Sequence, residues 1–298
     1  MKQDIEFWRA RVNEVMPDQH FAEIELNQDG LVNDVVIVNG EFVFRFAKTE
    51  HDADTLAREV TILDLVRPRL NVSIPKPIHY ERGCMVYPYL RGQPLLRETV
   101  LALDELEQTS IADTLGMLLY ALHTSPLSEP GQEVKPTIAP ASREQNIYIR
   151  ARVREKLYPL LLPHQIQWAE ALYEGALATE DFFDYEPVLV HADLAPYHIL
   201  FDERGRGSDE HNRMITGILD FGTAGVGDAA QDFGTLLSAY GEQFVVKMGA
   251  TYPGLNQLLP RARFHAQAIE LQWALNGIES GENFWFTAHL GGARDIRS

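Results

Sequence analysis

Apolar residues along the chain recur at two periods, and the switch between them outlines the fold. Ile5, Trp8, Val12 and Val15 fall on one helix face and predict a helix over 4–15. Two short strands follow, 35–38 and 42–46, joined by Asn39-Gly40-Glu41. Asn-Gly supplies the positive φ angles of a tight hairpin. Leu56, Val60 and Leu63 mark an amphipathic helix over 52–66, which Pro68, Pro75 and Pro77 end before a strand over 84–88. Beyond about residue 95 the helical period dominates, with helices expected over 98–124, 143–161, 165–177 and 261–280. Among them sits a β island at 188–190, 198–201 and 214–219, the last two a hairpin with a polar tip over 203–213. The expected plan is α+β and bilobal: a small strand-rich lobe over 1–90, a crossover at 87–92, and a larger helical lobe over 91–298 holding a β-hairpin insert.

Length and charge narrow the possibilities. The 298 residues are 45% hydrophobic and 23% charged, enough to bury a core without disulfide or metal staples. No apolar run reaches membrane-span length, and Met1-Lys2-Gln3-Asp4 does not read as the opening of a signal peptide. The single cysteine, Cys84, forms no intramolecular disulfide and suits a reducing cytoplasm. Lys and Arg number 26 against 43 Asp and Glu, a formal charge of −17 that disfavours nucleic acid and anionic membrane and favours cationic ligands. The basic run Arg143, Arg150, Arg152, Arg154 and Lys156 reads as solvated charge paired with Glu144 and Glu155. With no heptad pattern and no broad apolar stripe, a monomer is expected.

Two carboxylates carry the chemistry. Asp193 follows the apolar strand at 188–190, in His191-Ala192-Asp193-Leu194-Ala195-Pro196-Tyr197-His198, and Asp220 ends the strand at 214–219, in Asp220-Phe221-Gly222. A normally closing hairpin would bring both acids to one edge of one small sheet. Phosphoryl transfer needs such a pair, one carboxylate to deprotonate a hydroxyl and one to hold Mg²⁺ on nucleotide phosphates. His198 stands near the same metal in this reading. Each motif alone has a plain alternative, an Asp-Phe-Gly turn or a buried core histidine. Their order, about 27 residues apart at strand ends, is what points to catalysis.

His191-x-Asp193-x-x-x-x-His198 followed by Asp220-Phe221-Gly222 resembles the catalytic loop and metal motif of the aminoglycoside and macrolide phosphotransferases, small-molecule kinases of protein-kinase-like fold. The string HADLAPYHILFD is similar to the subgroup that phosphorylates the 2″-hydroxyl of aminoglycosides. The resemblance runs from about Asn27 to the C-terminal helices. It implies Asp193 as catalytic base, His198 and Asp220 as Mg²⁺ ligands, and ATP or GTP as donor. Strand alternation sets Phe42, Phe44 and Phe46 on one face and Val43 and Arg45 on the other. The resemblance then puts Val43 against the purine and Arg45, where such kinases usually carry lysine, on phosphate, with Glu59 as its partner and Lys48 as a weaker substitute. It also implies Gly30 over the nucleotide, Tyr87, Tyr89 and Leu90 at the purine-binding crossover, and Asp228 and Asp232 as supports of the loop.

The acceptor is read less directly. The resemblance and the charge suggest a hydroxylated, cationic antibiotic, an aminoglycoside or macrolide. Glu242 is the sole acid over 236–242, where aminoglycoside 2″-kinases carry a cluster. Glu270, Glu279 and Glu282, with Trp273 and Trp285 to stack on a sugar, are the other candidates, although Trp273 equally suits packing of the last helix. Two alternatives stay open. One is a kinase of the same fold acting on an amino alcohol, sugar or other metabolite, and the other a catalytically silent nucleotide-binding module.

Overall fold

The computed structural model describes residues 3–17, 19, 21–28, 32–129, 132–202 and 214–281. The hairpin tip at 203–213, and Gly30, Glu282 and Trp285, lie outside the described residues. Helix α1 (Ile5–Val15) starts where Asp4 accepts the Phe7 amide at 2.9 Å. Strands β1 (Ile24–Asn27), β2 (Asn33–Val38) and β3 (Phe42–Ala47) follow, the last two turning on Asn39 and Gly40 at φ 53° and 60°. Helix α2 (Glu50–Val66) is capped by Thr49, and strands β4 (His79–Glu81) and β5 (Cys84–Pro88) complete an antiparallel sheet of order β1-β2-β3-β5-β4.

The long helix expected over 98–124 is two: α3 (Arg97–Ala102), after the two-residue strand β6 (Gln93–Pro94), and α4 (Glu105–His123). Asp104 breaks it. Its carboxylate takes the Glu107 amide at 2.9 Å while Glu107 takes the Asp104 amide at 3.0 Å, a reciprocal cap that fixes a new start. Short strands β7 (Ser128–Glu129) and β8 (Gln132–Glu133) lead to α5 (Arg143–Lys156) and α6 (Pro163–Ala178). The helix expected to 161 stops at Lys156 because Pro159 turns the next residues into a single 3₁₀ turn. Then come β9 (Val188–Val190), β10 (Ile199–Phe201), β11 (Ile215–Ile218), β12 (Gly225–Gly227), α7 (Ala230–Tyr240), α8 (Glu242–Val245) and α9 (Leu255–Ser280). Helix α9 runs through Pro260 rather than starting after it, since Leu255 and Leu259 are buried and hold the extra turns.

Two compact units result. The first comprises Met1–Leu95, Ser128–Val134 and Tyr197–Ala224. Its core is the phenylalanine face of β3: Phe44 and Phe46 pack with Trp8, Val12, Val36, Val38 and Val86. Segment 197–224 belongs to it because β10 pairs with both β11 and β6. The second comprises Leu96–Leu127, Lys135–Pro196 and Gly225–Ser298. There Phe264 and Leu271 of α9 pack on Val153 of α5, Tyr173 of α6 and Phe183. One expectation fails. The strand before Asp193, β9, pairs with β12, whereas the strand before Asp220, β11, pairs with β10. The two acids follow strands of different sheets, because Gly225–Gly227 offers β9 an antiparallel partner immediately after the Asp220 turn.

The basic run of α5 meets Glu155 as expected, through Arg152 and Lys156, and otherwise reaches partners on neighbouring elements. Arg150 and Arg154 converge on Glu170 of α6, Arg152 reaches Glu155 and Glu279, Lys156 takes Glu155 at 3.0 Å, and Arg143 donates to the carbonyls of Leu177 and Thr179. Packing of α5 against α6 and α9 supplies carboxylates closer than the local Glu144.

Candidate functional site

Within the first unit, alternation along β3 turns Arg45 away from the phenylalanine core toward α2. Its Nη1 lies 2.7 Å from Glu59 Oε1 and its Nη2 3.3 Å from Asp220 Oδ1. Arg45 is 6% exposed and Glu59 fully buried, so this is no solvated surface pair. Glu59 Oε1 also accepts the Phe221 amide at 3.2 Å, and Asp220 Oδ1 accepts the Gly222 amide at 3.2 Å. The guanidinium fork thus spans two carboxylates, which a single ammonium reproduces poorly. Burial pushes the Glu59 carboxyl up to about 7 against the pull of Arg45, and the charge of Asp220 adds to the rise. Burial works against the Arg45 charge, yet Glu59 and Asp220 outweigh it and hold the guanidinium protonated.

Asp220 sits at φ 60°, a left-handed conformation that costs a residue with a Cβ about 1–3 kcal/mol and persists only where its surroundings enforce it. Here the Arg45 and Gly222 contacts do so. His198 ends a 3₁₀ turn, Pro196–His198, just before β10, and its Nε2 stands 3.6 Å from Asp220 Oδ2. The Leu219 amide donates to the His198 carbonyl at 2.8 Å, which locks the two residues in register. Among the described residues no group of three or more His, Cys, Asp or Glu side chains is arranged to hold a metal. An imidazole and a half-exposed carboxylate 3.6 Å apart fit a Mg²⁺ ion that takes its other ligands from phosphate and water, its usual mode in nucleotide enzymes.

Val43 and Tyr87 are register partners on β3 and β5, both buried. Tyr89 is exposed, and its amide donates to the Glu41 carbonyl at 2.7 Å. Leu90 lies over the backbone of Gly217. Lys48 is held by the Gln28 carbonyl and Asp34.

Within the second unit, β9 delivers His191, Ala192 and Asp193. Ala192 has φ 64°, again left-handed, and Asp232 at the start of α7 holds it there. Asp232 is completely buried. Its Oδ1 accepts the Ala192 amide at 2.7 Å, and its Oδ2 accepts the His191 amide and His123 Nε2, both at 3.0 Å. Burial opposes its charge, but the His123 bond and the His191 contacts prevail and hold the carboxyl below its usual range. The Asp193 amide closes back on His191 Nδ1 at 3.3 Å, which aims the half-buried Asp193 side chain from a braced turn. Asp228 is gripped by Arg261 at 2.7 and 3.2 Å and accepts the Ala230 amide. His123 escaped the sequence reading. The available signal was a histidine closing an otherwise leucine-lined helix face.

Three of the candidate acceptor residues already have partners. Glu242 is gripped by both Nε and Nη2 of Arg263, Glu279 by Arg152, and Glu270 accepts the Ser238 hydroxyl at 3.4 Å. Trp273 is half-buried on α9.

Comparison with known proteins places the chain in a family. Residues 23–265 match the model of the phosphotransferase enzyme family. Protein YcbJ of Bacillus subtilis (strain 168) is 25% identical over 244 residues, 77% of this chain and 74% of its own. Viomycin phosphotransferase of Streptomyces vinaceus is 28% identical over 219 residues, 70% and 71% of the two chains. The solved GDP and kanamycin complex of APH(2″)-IIia superposes with a TM-score of 0.86 at 22% identity, covering 97% of both chains, so the two share a fold. With four-fifths of its length inside the family model, the chain belongs to the phosphotransferase enzyme family.

Proposed function

We propose that the protein moves the γ-phosphate of ATP or GTP to a hydroxyl of an antibiotic, an aminoglycoside before a macrolide. The observation that supports this reading most is the cluster in which Arg45 joins Glu59 to Asp220 while His198 faces the other Asp220 oxygen. In this reading Asp193 takes the proton from the acceptor hydroxyl as its oxygen attacks the γ-phosphorus; the bond from that phosphorus to the β-phosphate bridging oxygen breaks, and nucleoside diphosphate leaves. Arg45 contacts the phosphates, and the Val43 and Tyr87 to Leu90 region together with Gly30 receives the nucleotide. Asp220 and His198 hold Mg²⁺, which when bound offsets phosphate charge. Residues 1–90 are the nucleotide-binding part and 91–298 the catalytic and acceptor part, with Glu242, Glu270, Trp273 and Glu279 toward the acceptor. The protein acts in this reading as a cytoplasmic monomer, without nucleic acid or membrane partners.

A second reading, a metabolite kinase of the same fold, is favoured by Glu242 and Glu279, whose charges Arg263 and Arg152 already neutralise. The test is Mg²⁺-dependent turnover of ATP and GTP with kanamycin, viomycin and a macrolide, beside an amino alcohol and sugar panel. Stimulation by an antibiotic, falling at least about 100-fold in a folded Asp193→Asn variant, supports the first reading. Stimulation by the metabolites alone selects the second.

A further inference from the structure

The two oxygens of Asp220 have different surroundings. Oδ1 accepts from the Gly222 amide at 3.2 Å and from Arg45 Nη2 at 3.3 Å, whereas Oδ2 faces His198 Nε2 at 3.6 Å. A carboxylate oxygen carries two lone pairs, so the two donors fill Oδ1. Neither donor is loosely placed. The Gly222 amide belongs to the same turn as Asp220, and Arg45 is anchored through Nη1, which gives Glu59 Oε1 a bond of 2.7 Å. That oxygen is fixed in turn by the Phe221 amide at 3.2 Å. A guanidinium is planar and holds its terminal nitrogens at a set separation, so anchoring Nη1 on Glu59 also decides where Nη2 points. One side of Asp220 thus already has its cation, and the other side, with the imidazole, is where a metal ion meets a carboxylate oxygen.

We propose that Arg45 limits this site to one divalent cation, on Asp220 Oδ2 and His198, and itself takes the place a second ion would have on Oδ1. The proposal rests on the phosphotransferase reading for the presence of metal and nucleotide. Where two metal ions serve phosphoryl transfer they stand about 3.5–4 Å apart. A second ion on Oδ1 would have to displace Nη2 and then lie against a guanidinium that Glu59 still holds, cation beside cation. A lysine at 45 would remove the obstacle. Its single nitrogen can keep the Glu59 pair, but it cannot also stand at the Nη2 position, which returns a lone pair to Oδ1.

Mn²⁺ accepts the oxygen ligands that suit Mg²⁺ and is paramagnetic, so it counts the ions directly. The full chain is kept in excess over the β,γ-imido analogue of ATP or GTP, and bound Mn²⁺ is read by electron paramagnetic resonance. Wild type is expected to take one Mn²⁺ per nucleotide, with no coupling between spins. Arg45→Lys is expected to take two, coupled to each other as a close pair must be. Two ions on wild type overturn the proposal and leave the phosphotransferase reading intact. One ion on both proteins overturns it as well, because Arg45 then limits nothing. If Arg45→Lys does not fold, the double variant Arg45→Gln/Glu59→Gln, which removes both charges of the buried pair, decides in its place: two ions support the proposal and one overturns it. A protein that binds neither nucleotide nor Mn²⁺ loses the phosphotransferase reading and this proposal together.

Discussion

Gly225→Ala and Gly175→Ala add the same methyl group and should move stability in opposite directions. Gly225 opens β12, the strand that pairs with β9 ahead of His191. Its neighbour Val226 is held by two backbone bonds of 2.9 Å, to the Thr137 amide and the Lys135 carbonyl. A Cβ on Gly225 would meet the Thr137 nitrogen at 2.6 Å, the Lys135 oxygen at 2.7 Å and Thr137 Cα at 2.8 Å, all of them backbone. Ordinary contact starts near 3.4 Å, so segment 135–137 must retreat by about 0.8 Å, which stretches both bonds past hydrogen-bond length. Two lost backbone bonds cost about 1–3 kcal/mol, and residual overpacking costs about 1–3 kcal/mol more. We expect Gly225→Ala to lose about 3 kcal/mol. Gly175 lies inside α6 with nothing within 4 Å of its added Cβ, so alanine there should gain about 0.5–1 kcal/mol by stiffening the unfolded chain. Urea unfolding followed by far-ultraviolet circular dichroism and tryptophan fluorescence measures both. A Gly225→Ala protein within about 0.5 kcal/mol of wild type, or two variants shifted alike, would refute the steric reasoning.

Two further outcomes follow from buried charge. The Asp228 carboxyl is held down at about 2, burial being outweighed by His265 and Arg261, so the unfolded chain takes up its proton first as pH falls. Asp228 therefore stabilises above its ordinary value of 3.8 and loses that contribution between 3.8 and about 2, roughly 2.5 kcal/mol in all. The stability gap between wild type and Asp228→Asn should shrink by about 2 kcal/mol from pH 5 to pH 2, and a constant gap contradicts the linkage. Arg45→Met leaves Glu59 buried without its cation and should cost about 3–5 kcal/mol, part of which Arg45→Met/Glu59→Gln recovers. A double-mutant cycle giving less than about 0.5 kcal/mol of coupling would show the pair to be energetically idle.

The sequence was most legible where one local rule decided the outcome. Asn39-Gly40 demanded a primed turn, and alternation through Phe42, Val43, Phe44, Arg45 and Phe46 separated a core face from a charged one. Placing Arg45 opposite Glu59 needed only the next helix, and the two side chains do meet. Non-local choices were illegible. Nothing in Val188–Val190 says that its partner is Gly225–Gly227 and not the neighbouring hairpin, since three apolar residues fit either edge. Asp104 starts a new helix through a reciprocal cap that a hydrophobic period does not register. His123 was invisible because its meaning lies in Asp232 and Tyr252, each more than 100 residues away.

The discontinuity of the first unit bears on how the protein is made. The unit closes only with Tyr197–Ala224, yet its sheet is complete in sequence by Pro88. At a synthesis rate of roughly 5–20 residues per second, the 129 residues from Leu95 to Ala224 take about 6–26 s to emerge. Through that interval β6 waits without its partners β10 and β11, and Glu59 waits without the Phe221 amide that caps it. A ribosome paused before residue 224 therefore carries an N-terminal sheet whose central ion cluster is unfinished, so chaperone capture of arrested chains should drop once Ala224 has cleared the exit tunnel.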